Sequence, residues 1–356
     1  MTTVTGGTAD RLDLDDAAGL VAADTGGLLR GAACAGAQVR ATAAAVEEGG
    51  LDGLAGHTPR SVVLVGGRGP ARHAAAVLQE LAAHTTAVPV LQASTAPRWL
   101  GALDLVVVLA DDPGDVELAA SVARAANRGA DVILATPAEG PLADAGGGRA
   151  LRLPPRVVVP DGMGFVRFVA VGFAALGGLG VLPSVDLAAL ADVLDAEVER
   201  DHPDRELFAS PAKALATRML GRELVLAGAG PVTTLLAAHA STCLLRHAGV
   251  SAAATDLSEL LAAAGRPDRP GDGARLDSLF HDPEFDGPRH GQPLRAVLLA
   301  TAAERGAAVL RARVLPDVEL QHADEAVDEQ SYGVAAELVV LAARVETAAV
   351  YLSLAR

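Results

Sequence analysis

A glycine-rich turn is the clearest chemical feature of the sequence, in the stretch SVVLVGGRGPARH at 61–73. A β-branched apolar run ends in glycines and an Ala-rich stretch follows, which predicts a strand, a tight turn and a helix. The N–H groups and the dipole at a helix N-terminus attract anions. Gly66, Gly67 and Gly69 would let the backbone approach a ligand, and the planar guanidinium of Arg68 suits a phosphate. We therefore predict an anion site at this turn, the alternative being a turn with a structural role alone.

Other chemistries lack the residues they need. A nicotinamide dehydrogenase would need an acidic residue about 20 positions after the glycine turn, and the stretch PVLQAST at 89–95 has none. No GxSxG elbow for a serine hydrolase and no CxxC or HExxH spacing for zinc is present. Cys34 and Cys243 lie far apart in Ala-rich contexts, where we expect buried apolar side chains and no disulfide. We predict no cofactor and no metal site.

Composition narrows the class of protein further. The chain has 356 residues, a formal net charge of −15, and a single lysine, Lys213. It has no basic run or basic stripe with aromatics, so we expect no nucleic-acid partner. The apolar run at 168–182 is too short to cross a membrane and predicts a buried helix. The first residues have no basic and apolar regions of a signal peptide, so we expect a cytoplasmic protein without membrane association.

The elements that would position the turn alternate between strands and helices. This alternation predicts an α/β fold with doubly wound parallel sheets. We predict strands at 61–66, 87–91, 103–110, 130–135, 223–227 and 294–301, and helices at 13–22, 28–47, 70–84, 115–128, 163–180, 187–200, 232–248, 301–310 and 331–354. The last of these helices is predicted to be amphipathic.

The same strand, glycine turn and helix occur twice in the chain. The segments VVLVGGRGPARHAAAVL and LVLAGAGPVTTLLAAHA are variants of one pattern, which indicates an internal duplication. A polar, proline-containing stretch at 201–211 separates the two copies. We predict a lead and first helix at 1–27, a first domain at 28–200 and a second domain at 201–356.

Four stretches in order resemble a known family. They are VGGRGPARHAA at the glycine turn, VVVLADDPGDVELA after the strand at 103–110, SPAKALA at 210–216, and the tail LAARVETAAVYLSLA. The chain resembles the sugar isomerase (SIS) domain family, in the two-domain arrangement of the bifunctional phosphoglucose/phosphomannose isomerases. The resemblance implies two SIS-type parallel-sheet domains, a site between domains or subunits, and a homodimer.

The resemblance also implies a chemistry, aldose–ketose isomerisation of a hexose phosphate through an enediolate. His281 and Glu284, in LFHDPEFDGP, match the family's His-Asn-Glu stretch and would open the ring and act as the base. Asp111 and Asp115 lie where the family has its phosphate loop, and Lys213 matches its Asn-Pro-Ala-Lys stretch. Arg156 and Arg167 are alternative matches to the family's substrate arginine.

The sequence departs from the family at the residues that carry the chemistry. Carboxylates replace the hydroxyls of the phosphate loop, and ionised carboxylates cannot donate hydrogen bonds to phosphate. Besides a phosphate contact, the stretch at 111–115 is explained by a helix N-cap with an acidic first turn or by a Mg²⁺ site. The stretch ASTCLLRHAG at 240–249 lacks the family's catalytic glutamate, and no lysine follows Lys213. We predict a hexose-phosphate-binding protein with impaired catalysis, the alternative being an active glucose-6-phosphate/mannose-6-phosphate isomerase.

Overall fold

The computed structural model describes residues 12–264, 294–323 and 333–356 of the chain. Its first sheet is entirely parallel, with the strand order β2-β1-β3-β4-β5. The central strands are apolar, β-branched and buried on both faces, as parallel strands covered by helices must be. The five strands are β1 (Ser61–Gly66), β2 (Val90–Ala93), β3 (Asp104–Leu109), β4 (Asp131–Ala135) and β5 (Leu151–Arg152).

Eight helices accompany the first sheet in the described part of the chain. They are α1 (Ala17–Ala23), α2 (Leu28–Ala33), α3 (Ala35–Ala45), α4 (Gly69–Ala83), α5 (Val116–Asn127), α6 (Pro141–Ala145), α7 (Phe165–Gly178) and α8 (Leu187–Arg200). The helix predicted at 28–47 is divided at Cys34, whose backbone ends α2 and begins α3, and its last turn widens into a π-helical turn at Val46–Gly50. The buried helix predicted around 168–182 is confirmed as α7.

The second sheet repeats the winding of the first. Its order is β7-β6-β8-β9, again entirely parallel, which matches β2-β1-β3-β4 strand for strand. The predicted fold class of two doubly wound parallel-sheet domains is therefore confirmed, and the common order agrees with an internal duplication. The strands are β6 (Glu223–Gly228), β7 (Ala252–Asp256), β8 (Leu294–Leu299) and β9 (Val318–Gln321).

Helices from both domains form a shared layer between the sheets. One apolar core contains Leu64 of the first sheet and Leu226 of the second, together with residues of α4, α7 and the second-domain helices between them. Smaller cores cover the outer face of each sheet. The second-domain helices are α9 (Pro211–Met219), α10 (Pro231–Ala248), α11 (Leu257–Ala264), α12 (Ala302–Ala312) and α13 (Gly333–Leu354).

The C-terminal helix α13 differs from its prediction. Every residue from Ala335 to Leu352 is buried, so the helix is not amphipathic in its setting. It packs against α8, α9 and α10, with further contacts to α2 and α7. Two of its polar side chains have buried partners: Arg344 Nε lies 2.6 Å from Glu197 Oε1, and Tyr351 donates a 2.6 Å hydrogen bond to the carbonyl of Asp201. Among the described residues no helix has the combined length and apolarity that crossing a membrane requires.

Candidate functional site

A cleft opens at the carboxyl ends of β1 and β3. Its volume is about 350 Å³, and its walls come from the glycine turn after β1 and from the stretch that follows β3. The chain leaves β1 toward one edge of the sheet and reaches the other edge through β3, so the cleft lies where the strand order reverses. Ligands of open α/β sheets bind at this type of position. The residues that line it are Gly67, Arg68, Gly69, Pro70, Ala110, Asp111, Asp112, Asp115, Leu118, Asp161 and Arg246.

The glycine turn forms the wall of the cleft beside α4. Arg68 is the N-cap of α4 with an extended backbone, and its side chain is 78% exposed toward the cleft. Gly69 has a φ of 51°, a left-handed conformation that suits glycine. A Cβ on Gly69 would lie 2.9 Å from Arg246 Nη1, so the absent side chain also makes room for that guanidinium. The turn therefore brings two arginines together at a helix N-terminus.

Arg246 comes from α10, in the second domain, and is the principal residue that sequence reasoning missed. It pairs with Asp161 at 2.8 Å, and both residues line the cleft. A basic residue in the last turn of a helix is explained by the helix dipole alone, so its sequence context gave no signal of a site. Only the packing of α10 on α4 brings Arg246 to the glycine turn.

Asp111 sits on the floor of the cleft against Arg167 of α7. The two side chains are 2.9 Å apart, and the Arg167 guanidinium also lies 4.2 Å from the centre of the Phe168 ring. Burial raises the pKa of Asp111, and the neighbouring Arg167 partly opposes that rise. Of the two arginines proposed as a substrate contact, Arg167 is the one next to the cleft, whereas Arg156 forms a surface pair with Glu48 at 2.8 Å.

The other acidic residues after β3 have structural partners. Asp115 caps α5 by accepting a 2.9 Å hydrogen bond from Leu118 N–H, and Asp112 accepts one of 2.9 Å from Gly114 N–H. Asp115 also lies 3.6 Å from Arg68. The helix N-cap, one of the interpretations considered for this stretch, is therefore what the structure shows at Asp115.

The structure brings most of the predicted binding residues together. Gly67, Arg68, Gly69, Asp111 and Asp115 all line the cleft. Gly66 does not line it, because this residue ends β1 and a Cβ there would lie 2.5 Å from the carbonyl oxygen of Ala71 in α4. Close strand–helix packing is the reason for that glycine.

Lys213 lies elsewhere in the molecule. Its side chain is fully buried at the start of α9, and Nζ donates hydrogen bonds to the carbonyls of Pro203 and Arg205 at 2.7 and 2.6 Å. Both bonds hold the segment that joins the two domains, and Lys213 does not line the cleft. The predicted catalytic residues His281 and Glu284 lie outside the described residues.

The corresponding turn of the second domain is closed by a carboxylate. Gly230 precedes α10 as Gly69 precedes the body of α4, but Glu304 of α12 packs against it. Glu304 Oε2 accepts hydrogen bonds from Thr233 Oγ1 at 3.1 Å and from Thr301 N–H at 2.9 Å. A side-chain carboxylate thus packs against the second turn, whereas the first turn opens onto the cleft.

Several solved structures have a fold similar to that of this chain. Tagatose-6-phosphate ketose/aldose isomerase from Escherichia coli superposes with a TM-score of 0.60 at 10% identity, over 92% of this chain and 91% of that one. The C-terminal domain of glucosamine-fructose-6-phosphate aminotransferase from Francisella tularensis gives 0.57 at 10% identity, over 99% and 98%. A candidate phosphosugar isomerase from Bacillus subtilis gives 0.57 at 17%, over 89% and 93%.

These similarities confirm the SIS-type two-domain fold that the sequence motifs predicted. At such low identity they show the fold alone, and the closer likeness to bifunctional phosphoglucose/phosphomannose isomerases stays a prediction. Neither a protein-family model nor a curated protein sequence matches the chain.

Proposed function

We propose that the chain binds hexose phosphates in the cleft between β1 and β3 and senses or supports hexose-phosphate metabolism without efficient catalysis. The observation that carries the proposal is that Arg68 and Arg246, one from each domain, line the same cleft at the N-terminus of α4. Two guanidinium groups offer planar, bidentate donors for a phosphate, and the helix N-terminus adds its own positive potential. The similar folds of sugar-phosphate isomerases support the choice of a phosphosugar as the ligand.

The acidic residues of the cleft support weak or absent catalysis. An isomerase base must be able to take a proton from the substrate carbon. Asp111 is paired with Arg167, and Asp161 is paired with Arg246. Asp115 caps α5, and Asp112 accepts a hydrogen bond from Gly114 N–H. Each of these four carboxylates already orients an arginine or the backbone, which disfavours a role as that base. Isomerase activity through His281 and Glu284 is the alternative proposal.

A phosphate would bind in competition with these ion pairs. The cleft sets Asp111, Asp112, Asp115 and Asp161 against two arginines, and hydrogen bonds from cations to phosphate have to replace those to carboxylates. We therefore propose moderate affinity rather than tight binding. The homodimer and the cytoplasmic location remain proposals that rest on the family resemblance and on the N-terminal sequence.

Calorimetric titration with fructose-6-phosphate, glucose-6-phosphate and mannose-6-phosphate tests the proposal. We expect saturable binding that Arg68→Ala and Arg246→Ala each weaken about tenfold or more, because each removes charge-assisted hydrogen bonds of about 1.5–3 kcal/mol. Asp115→Asn should tighten binding, since asparagine keeps the helix cap and removes a carboxylate that lies 3.6 Å from Arg68. Arg72→Ala is the matched control, an exposed arginine of α4 that does not line the cleft.

The outcomes separate the proposals. Absence of binding to all three sugars would overturn sugar-phosphate recognition. Equal weakening by Arg72→Ala and Arg68→Ala would move the ligand out of the cleft. A coupled isomerase assay on the same samples gives the third outcome: turnover that His281→Ala abolishes would establish the alternative, an active isomerase.

A further inference from the structure

Three metal-binding side chains lie along one face of α10. His239, Cys243 and His247 follow one another at intervals of four residues, which aligns them on a helix. The buried Glu346 of α13 faces them. All four residues are at most 8% exposed, and none belongs to the cleft.

The donor atoms of three of these residues are close enough to share one ion. One ligand atom each from Cys243, His247 and Glu346 lies within 4.8 Å of the others. His247 Nε2 and Glu346 Oε1 are 3.9 Å apart. Tetrahedral zinc with bonds of about 2.0–2.3 Å places its ligand atoms about 3.3–3.7 Å apart. Small side-chain rotations would therefore bring this trio to coordination distance.

Two of these atoms have no other partner. Within the described part of the chain, His247 Nε2 and Glu346 Oε1 are buried without a hydrogen bond. Buried polar atoms nearly always have partners, and a buried carboxylate without one is costly. Their separation of 3.9 Å is too long for a direct hydrogen bond, but a cation between them would satisfy both.

We propose that Cys243, His247 and Glu346 bind a Zn²⁺ ion that fastens α10 to α13. Thiolate, imidazole and carboxylate together favour zinc over magnesium or calcium, which prefer oxygen ligands alone. His239 has a ring nitrogen 3.5 Å from Cys243 Sγ, and an N–H at this position would stabilise the metal-bound thiolate by donating a hydrogen bond to it. Binding displaces the protons of the thiol and the carboxyl group into solvent.

The metal site would also help to position Arg246 in the cleft. Gly162 packs against both His247 and Arg246, and a Cβ there would lie 3.3 Å from His247 Cε1 and 3.2 Å from Arg246 Nη1. A metal that fixes the end of α10 would thus hold Arg246 at the glycine turn. The sequence predicted no metal site, because Glu346 lies 99 positions after His247 and completes no known short motif.

Metal analysis of the full chain tests the site. The protein is produced in medium supplemented with Zn²⁺ or with Co²⁺ and freed of loose ions on a chelating resin. We expect about one ion per chain, and in the cobalt form a near-ultraviolet charge-transfer band from thiolate to metal. Cys243→Ala should remove the band and lower the bound metal about tenfold or more. Glu346→Gln, which keeps the side-chain volume, should also lower the bound metal.

Cys34→Ala is the matched control, because it removes the only other cysteine of the chain. It should keep both the band and the stoichiometry. Circular dichroism shows whether each variant is folded. If Cys243→Ala does not fold, Glu346→Gln still tests the site. A wild-type protein without metal would overturn the proposal. So would a metal content unchanged by both substitutions, which would assign the ion to the acidic surface.

Discussion

Arg246 reaches the glycine turn that carries Arg68 because Gly69 has no side chain; a Cβ there would lie 2.9 Å from Arg246 Nη1. At the scale of single residues, the candidate site depends on a glycine that leaves space and on ion pairs between arginine and aspartate. Each arginine lies near an aspartate, Arg68 at 3.6 Å from Asp115 and Arg246 at 2.8 Å from Asp161. The aspartates hold the guanidinium groups in place at the expense of part of their positive potential.

The hydrogen bonds of Lys213 indicate a structural role in the segment between the two domains. Its ammonium group donates to the carbonyls of Pro203 and Arg205, so Lys213→Met would remove two hydrogen bonds from a charged donor and leave these partly buried carbonyls without it. We expect the free energy of unfolding to fall by about 2 kcal/mol or more. Urea denaturation measures this, and the affinity for hexose phosphates in calorimetry should stay unchanged in the folded variant. Normal stability with a large loss of affinity would instead return Lys213 to the phosphate site.

The sequence predicted the site residues that lie in the glycine turn and after β3, but not Arg246 and Asp161, which come from other parts of the chain. The glycine turn and the acidic stretch after β3 are contiguous in the chain, so their residue types alone indicated an exposed turn and a helix cap. Arg246 and Asp161 reach the cleft only through the packing of two domains. No spacing within a short segment encodes such a contact.

Elements buried on both faces were the easiest to predict. The central strands β1, β3, β6 and β8 are continuous apolar runs that follow the pattern of buried parallel strands. By contrast, β5 has only two residues and β9 is a partly exposed edge strand, so neither has an apolar run to identify it. The prediction of an amphipathic α13 is wrong because the charged Arg344 is buried, where it pairs with Glu197 of α8 and donates to the carbonyl of His322.

A buried ion pair joins α13 to α8. Arg344 Nε lies 2.6 Å from Glu197 Oε1, and both side chains are at most 5% exposed. In the Arg344→Met variant the buried Glu197 would keep only Arg200, 2.6 Å from its other oxygen, as a cation partner, so the free energy of unfolding should fall by about 3 kcal/mol.

Denaturant unfolding of the Arg344 variant has an internal control. Arg218 pairs with Glu319 at 3.1 Å with its own side chain 56% exposed, and Arg218→Met should cost less than about 1 kcal/mol. Equal effects of the two substitutions would mean that α13 opens to water. The helix would then contribute less to the shared layer than its burial indicates.

At the scale of the whole molecule, the two domains share a strand order but differ in the side chains around their glycine turns. The two sheets share the order of their first four strands, and each begins with a strand, a glycine turn and a helix. In the first domain the turn faces two arginines and a cleft, and in the second it faces the carboxylate of Glu304. The anion site that we propose for the first turn therefore has no counterpart at the second turn, where the carboxylate of Glu304 packs.

The junction between the halves contains a titratable group. Asp201 ends α8, and its Oδ1 accepts hydrogen bonds from Ser210 Oγ at 2.9 Å and from Ala212 N–H at 2.8 Å. Its Oδ2 is buried without a hydrogen-bond partner among the described residues. Burial and the neighbouring Glu197 raise the pKa of Asp201 to about 7, against the smaller opposing effects of these hydrogen bonds and of Arg344.

This raised pKa gives the stability of the whole molecule a definite pH dependence. The folded protein holds the Asp201 proton up to about pH 7, whereas the unfolded chain releases it near the ordinary value of 3.8. Between these values the folded state binds more protons, so the free energy of unfolding falls as the pH rises through this window and levels off above it. Asp201→Asn keeps the acceptor and cannot ionise. In denaturant unfolding at about pH 5 and about pH 8, the wild-type protein should lose on the order of 2–4 kcal/mol more than the variant. Parallel profiles would show that the junction holds an ionised carboxylate, with Arg344 and Lys213 compensating its charge.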